Sequence, residues 1–247
     1  MFTREIKSDN NYNYVSIRGY NPLIEVMTNQ YISFDGNEPY TMTDDVQMSI
    51  NSTSVNDTLT GSGAGSVKIL GINENWYNQA VTVDLDGQTA VNISPNFIRI
   101  NDVEIITSND GANDHTNDGV ITVYSDNNDI VKQIPQQVNF SAYCNRQFDC
   151  FYTVPRLYRL WVTKLFYDST DSNNLYLNMF SRKIGVSTTK PPQLLFSATE
   201  KGKTYQFDAL VIEAGTDLWC EGGAPDGNCT NVTCYIEGIL QYTGLND

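Results

Sequence analysis

Apolar and polar residues alternate in short runs along most of this chain. Val67 and Ile69, then Val81, Val83 and Leu85, recur at every second position, so each run has one face to bury and one to wet. The pattern predicts strands at 66–71, 80–85, 89–93, 97–107 and 119–124, with Asn101-Asp102 marking a bulge or sharp bend inside the fourth. A second series is predicted at 151–154, 157–167, 174–184, 193–197, 204–212, 217–221 and 234–242. No window carries a long 3.6-residue apolar period, and Asn, Asp, Thr, Ser and Gly fill the gaps between runs. Asp-Gly pairs at Asp35, Asp86, Asp110, Asp118 and Asp226 add turn chemistry, and Asp86-Gly87 is the clearest hairpin signal among them.

The expected fold class is all-β: two antiparallel β-sandwich modules, the second jelly-roll-like, preceded by an extended N-terminal arm. Residues 1–48 are read as that arm, because their short strands at 12–17, 23–27 and 31–34 cannot bury a core alone. The arm pairs with a later strand or lies on a neighbouring subunit. Residues 49–131 form the small first sandwich, and 132–143, which contain Pro135, are read as a linker. Residues 144–247 form the second sandwich.

One strand stands apart. With strict alternation over 157–167, Leu157, Arg159, Trp161, Thr163, Leu165 and Tyr167 share one face. Tyr158, Leu160, Val162, Lys164 and Phe166 then share the other. Apolar residues on both faces call for a second cover, so Tyr158, Trp161, Phe166 and Tyr167 are the candidate interface and a homo-oligomer, with a trimer favoured, is expected.

Composition narrows the function. The 247 residues include 15 Tyr, 10 Phe and 3 Trp, enough for sizeable cores. Net charge is −14, concentrated in residues 1–139, which carry 18 acidic against 6 basic residues. Such a field repels phosphate, which argues against a nucleic-acid partner and suits docking on a basic surface. The N-terminal residues lack the pattern of a secretory signal, and no segment approaches the apolar length of a membrane span, so synthesis in the cytoplasm and no membrane partner are expected.

Candidate chemistry is sparse. His115, the one histidine, lies among turn-forming residues, where a nucleophile–base pair lacks walls to shape a pocket. The same loop, Asp110 to Asp118, is rich in oxygen ligands but lacks the order of a calcium-binding loop. Gly61-Ser62-Gly63-Ala64-Gly65 leads into a strand rather than a helix and has no phosphate-binding lysine after it. No catalytic, cofactor or metal residues are assigned, and no enzymatic activity is expected. Cys144, Cys150, Cys220, Cys229 and Cys234 are odd in number. Cys144 with Cys150, or Cys220 with Cys229 or Cys234, are the pairs close enough in sequence to bridge a loop.

Two stretches carry a resemblance. The polar lead-in Asn56-Asp57-Thr58, the glycines 61, 63 and 65, the strand Val67 to Ile72 and the segment Asp86-Gly87-Gln88-Thr89-Ala90-Val91 form the first. Gln206 to Leu218, with Glu213-Ala214-Gly215-Thr216-Asp217-Leu218 and Ala209 where a proline is usual, forms the second. Together they resemble virion structural proteins of marine tailed bacteriophages and related large DNA viruses, over most of residues 50–245. The resemblance implies a non-enzymatic capsid decoration, cement or vertex protein, or alternatively a tail or fibre adhesin that binds host-surface glycans. It implies location in the virion and other virion proteins, such as a major capsid or vertex protein, as partners.

Overall fold

The structure, a computed structural model, describes residues 12–33, 36, 46–108, 116–136, 149–184 and 191–244. The described residues are all-β, without a helix. The chain divides into two compact units. One comprises residues 40–147; the other joins residues 2–39 to residues 148–247.

The first unit is an antiparallel sandwich. Strands β3 (Val46–Ser52), β6 (Val91–Phe97), β8 (Ile121–Tyr124) and β9 (Ile130–Ile134) form one sheet in the order β6-β3-β8-β9. Strands β4 (Ala64–Ile72), β5 (Asn78–Asp84) and β7 (Arg99–Ser108) form the other, in the order β5-β4-β7. Met48, Ile50, Val67, Ile69, Ile93, Phe97, Val103, Ile105, Ile121 and Val123 fill the space between them. Their every-second-residue spacing is the reason each strand has one inner face.

Two expectations change here. The strand 46–52 straddles the assigned arm boundary, because Val46, Met48 and Ile50 belong to the first core and not to an extended lead. The assigned linker begins inside β9. At Asn101 the expectation holds: β7 shifts register against β4, Leu70 pairing with Asp102 and Gly71 with Ile100, so Asn101 is an extra residue, a β-bulge, and the inner positions change from Ile100 to Val103.

The second unit has the strand order of a jelly roll. Its eight main strands in chain order are β1 (Tyr12–Ile24), β10 (Phe151–Thr153), β11 (Tyr158–Asp168), β12 (Tyr176–Lys183), β13 (Gln193–Ala198), β14 (Thr204–Ile212), β15 (Thr216–Gly223) and β16 (Cys229–Tyr242). One sheet runs β1-β16-β11-β14 and the other β10-β15-β12-β13, with the short β2 (Asn29–Tyr31) added beside β15. Counted within the unit these are first-eighth-third-sixth and second-seventh-fourth-fifth, the wrapped order of two Greek keys. Ile17, Leu160, Val162, Leu165, Tyr167, Val232 and Ile236 of one sheet meet Leu177, Met179 and Leu218 of the other in a single core.

The N-terminal segment is therefore an integral strand of this sandwich over residues 12–24, paired with β16 from Tyr12↔Gln241 to Ile24↔Cys229. Of the two roles open to the arm, the pairing with a later strand is the one realised. Residues 1–11 lie outside the described residues.

β11 departs from strict alternation. Its register against β16 shifts by one between Val162 and Lys164, so Thr163 is an extra residue there, a β-bulge; at the same point the pairing with β14 passes from Val162↔Leu210 to Lys164↔Gln206, with the surplus residues on β14. Before the bulge the even positions Leu160 and Val162 point inward. After it the odd positions Leu165 and Tyr167 do, and all four are buried. The two apolar faces read from the sequence are thus one inner face interrupted by a half-turn of parity.

Candidate interaction face and the side chains around it

The outer face of the sheet β1-β16-β11-β14 follows from this register. Tyr12 and Tyr14 on β1 stand outward opposite Gln241 and Ile239 on β16, and Arg18 stands opposite Tyr235. On β11, Trp161 lies opposite Ile239 and Phe166 opposite Tyr235. Tyr12 is 48% exposed, and Tyr14, Tyr235 and Ile239 are each 37–39% exposed. Trp161 and Phe166 are half-buried beside them. Polar groups stitch the face together. The Trp161 indole N–H donates to Gln241 Oε1 at 2.8 Å, and Gln241 Nε2 donates to the Tyr12 hydroxyl at 3.3 Å. Lys164 Nζ lies 3.0 Å from Glu237 Oε2, and the Arg18 guanidinium sits 5.8 Å from the centre of the Tyr235 ring. Burial, with a hydrogen bond to the Glu237 carboxylate, pushes the Tyr14 phenol up to about 12. Burial opposes ionisation of Glu237, but the Lys164 ammonium and the Tyr14 hydroxyl together hold its carboxyl below the usual range.

The four sequence-predicted interface residues separate. Trp161 and Phe166 belong to the outer face. Tyr167 is fully buried, carried inside by the bulge, and stacks on Tyr205 at 6.2 Å. Tyr158 has inward parity and packs against the core's end, edge-on to Tyr242 at 5.4 Å. Sequence reasoning missed Tyr12, Tyr14, Tyr235 and Ile239, because the partnership of β1 with β16 has no local signature.

The glycine-rich lead-in is organised by Asp57, which is fully buried in the first unit. Its Oδ1 accepts the backbone N–H of Ala64 at 2.8 Å and of Asp118 at 2.9 Å. Its Oδ2 accepts the N–H of Gly119 at 3.0 Å and the Ser52 hydroxyl. The Asp118 carboxylate in turn accepts from Asn56 Nδ2 at 3.0 Å and Ser62 Oγ at 3.1 Å. Asp86-Gly87 docks on the same knot. Gly87 has φ +59° and donates its N–H to the Asp57 carbonyl at 2.9 Å, while its own carbonyl accepts from Ser52 N–H. The turn is real, but it is not a hairpin: β5 and β6 lie in different sheets, and the turn carries the chain between them. Asp118-Gly119 and Asp226-Gly227 do not take positive φ at glycine, and the Asp35 and Asp110 pairs fall at least partly outside the described residues.

The second motif behaves alike. Asp217 is buried and accepts the Thr153 hydroxyl at 2.6 Å, while Gly215 N–H donates to the Val154 carbonyl at 2.9 Å. In the first motif the carboxylate holds a backbone corner, and in the second it ties β15 to β10 through the Thr153 hydroxyl beside the Gly215 corner. His115 and Cys144, and residues 110–115 of the Asp110–Asp118 loop, lie outside the described residues.

Three of the remaining cysteines converge. Cys150, Cys220 and Cys234 are all buried, with their sulfur atoms within 4.8 Å of one another and Cys150 Sγ 3.5 Å from Cys234 Sγ. Cys229 is apart, its sulfur 3.5 Å from the Asn174 carbonyl. The loop pairings read from sequence did not anticipate this grouping, since only the closure of the jelly roll brings residues 150 and 234 together.

No protein-family model matches the chain, and no curated protein matches it. Among solved structures it is similar to a chain from the study "The Triple Jelly Roll Fold and Turret Assembly in an Archaeal Virus", with 9% identity and a TM-score of 0.25. That match covers 94% of this chain and 60% of the other, so this chain spans less than two thirds of its length. Chains from infectious bursal disease virus, strains Gt and Gx, align over 98% of this chain and 74% of theirs. Identities there are 9% and 10%, with TM-scores of 0.21 and 0.26. All three scores fall below the level that marks a shared fold.

Proposed function

We propose that this chain is a non-enzymatic structural protein of a virus particle, attached to the capsid as a decoration, cement or vertex component. The observation that carries the reading is the use made of the two virion-type motifs. Asp57 is buried and spends both oxygens on backbone N–H groups and a hydroxyl, and Asp217 is buried against the Thr153 hydroxyl, so both carboxylates serve corners of the fold. The outer face of the jelly roll's β1-β16-β11-β14 sheet supplies the docking surface, with Tyr12, Tyr14, Trp161, Phe166, Tyr235 and Ile239 grouped around charged and amide groups. Aromatic groups ringed by polar ones are the composition of interface centres. The partner is another virion protein or a second copy of this chain; since the bulge accounts for the apolar pattern of β11, threefold assembly rests on the symmetry habits of viral decorations.

The same face favours one second reading, a tail or fibre adhesin, because exposed Tyr and Trp rings also stack on sugars. Quantitative mass spectrometry of purified particles tests the first reading. Copies in the hundreds per particle are expected for a shell component, and a few to a few dozen for a vertex or tail protein. Absence from particles, with the protein confined to the lysate, overturns the virion assignment. Loss of particle incorporation in Trp161→Ala with Tyr235→Ala places the docking surface here. Normal incorporation with lost glycan-array binding transfers the face to the adhesin reading.

A further inference from the structure

The thiol cluster of the second unit sits where its two sheets come unusually close. Cys234 lies on β16 in one sheet, and Cys150 immediately precedes β10 in the other. Gly19 on β1 is the register partner of Cys234, and a β-carbon added to Gly19 would lie 2.5 Å from the Cys150 β-carbon and 2.5 Å from the Ile32 carbonyl oxygen. The missing side chain at Gly19 is what lets the Cys150 segment descend onto β1 and β16. The segment is pinned there by its own backbone: Cys150 N–H donates to the Ile32 carbonyl at 2.9 Å, and Cys220 N–H to the Cys150 carbonyl at 3.2 Å. Packed sheets ordinarily stand about 10 Å apart, so a local approach of this kind is what a sulfur–sulfur bond between layers requires.

We propose that Cys150 and Cys234 form an inter-sheet disulfide when the protein meets an oxidising thiol–disulfide environment, with Cys220 remaining a free thiol beside it. The sulfur atoms are already 3.5 Å apart, fully buried, and surrounded by an apolar cluster that includes Ile17, Ile32 and Ile236. A neutral disulfide suits that setting. A cation on three thiolates does not, because a monovalent or divalent ion would leave net negative charge in an apolar core. The three thiols share hydrogen bonds, with the Cys234 sulfur as the acceptor. Burial opposes its ionisation, but hydrogen bonds from Cys150 and Cys220 bring it below the ordinary thiol value, while those two are pushed well up.

The oxidant is a small disulfide such as oxidised glutathione. During closure of the sandwich, or in a transient opening, the Cys234 thiolate attacks one sulfur of that disulfide, whose S–S bond breaks to release one small thiolate. Cys150, losing its proton, then attacks the Cys234 sulfur of the mixed disulfide and releases the second. Two electrons pass from the protein sulfurs to the oxidant and two protons follow, giving one protein disulfide and two small thiols.

The test refolds the full-length chain from denaturant in reduced and oxidised glutathione, traps free thiols by alkylation and maps non-reduced peptides. A Cys150–Cys234 linked peptide is expected in the wild type and in Cys220→Ala. The oxidised wild type should melt about 5–15 °C above the same protein in excess reductant, the range for a bond closing a long loop in a domain of this size. This comparison needs no variant, so misfolding of Cys150→Ala or Cys234→Ala does not obscure it. A link involving Cys144 or Cys220, complete alkylation of every cysteine after oxidative refolding, or a stoichiometric metal in the purified protein overturns the proposal.

Discussion

Asp57 is the side chain whose removal should damage the first unit most for its size. Its two oxygens accept three backbone N–H groups and one hydroxyl; the bonds from Ala64, Gly119 and Ser52 are buried and the one from Asp118 is half-buried. In Asp57→Ala the N–H groups of Ala64, Asp118 and Gly119 lose their acceptor together. A buried unsatisfied donor costs about 1–3 kcal/mol, and relief of the buried charge with partial entry of water returns some of the sum. A net loss of about 3–5 kcal/mol is expected. Asp57→Asn keeps the oxygen that serves Ala64 and Asp118 but turns an NH₂ toward the Gly119 N–H, so one orphan remains and about 1–3 kcal/mol is lost. Asp118→Asn, altering a carboxylate whose hydrogen bonds to Asn56 and Ser62 are exposed, should cost less than about 1 kcal/mol. Because two of the three tryptophans, Trp161 and Trp219, belong to the other unit, fluorescence mixes two transitions. Hydrogen exchange on peptides of β4, β7 and β8 as a function of urea isolates the first. An Asp57→Ala cost below about 1 kcal/mol, or a stabilising Asp57→Asn, would show that desolvation of the carboxylate outweighs its hydrogen bonds, and the reasoning would fail.

Deleting Thr163 should remove the bulge and turn either Leu160 and Val162 or Leu165 and Tyr167 outward, so the second unit is expected to be lost from the soluble fraction, while Thr163→Ser folds normally by circular dichroism. Gly19→Ala places a β-carbon against Cys150 and the Ile32 carbonyl and should cost about 1–3 kcal/mol by urea denaturation; an unchanged midpoint would mean that the layers are not held as close as described. Asp171 accepts hydrogen bonds from the backbone N–H and the hydroxyl of Thr230, which hold its carboxyl below the ordinary range. Its folded form is thus the better acid, so its contribution is present above the unfolded value of about 3.9 and fades as pH falls through the lower folded value. The difference in urea midpoint between wild type and Asp171→Asn should therefore be constant near neutrality and shrink in acid; a difference that grows on acidification contradicts the assignment.

Strand positions were legible because alternation is local: the strand expected at 204–212 coincides with β14, and the runs around Val67, Val81 and Leu177 lie in strands. The inserted residue at Asn101 was legible because a turn-forming Asn-Asp pair interrupts the alternation there, whereas the one at Thr163 was not. At Thr163 nothing in composition marks the bulge, so strict alternation divides one inner face between two, and Tyr167 reads as an interface residue. The strand β3 had a readable signal in Val46, Met48 and Ile50, but it was cut by a boundary placed on the scarcity of core in the residues before it. The outer face and the thiol cluster depend on which distant strands meet, as Tyr14 meets Ile239 and Cys150 meets Cys234. Pairings of that separation are properties of topology and leave no trace in residue spacing. The motif around Asp57 was visible as a pattern of Asx and Gly, though its carboxylate as an acceptor for three amides was not.

The pairing of β1 with β16 also sets a timetable for synthesis. The first unit lies wholly between the jelly roll's opening strand and the rest of that sandwich, so all of its strands have been made while β1 still lacks its neighbour. At ordinary rates of translation, the roughly 200 residues between Ile24 and Cys229 take on the order of 10–40 s to make. Throughout that interval the tyrosines of β1 and its unpaired edge are open to other chains, including a second nascent copy on the same message. Synthesis order leaves the first unit free to fold before the jelly roll, whose sheet cannot be complete until β16 enters between β1 and β11.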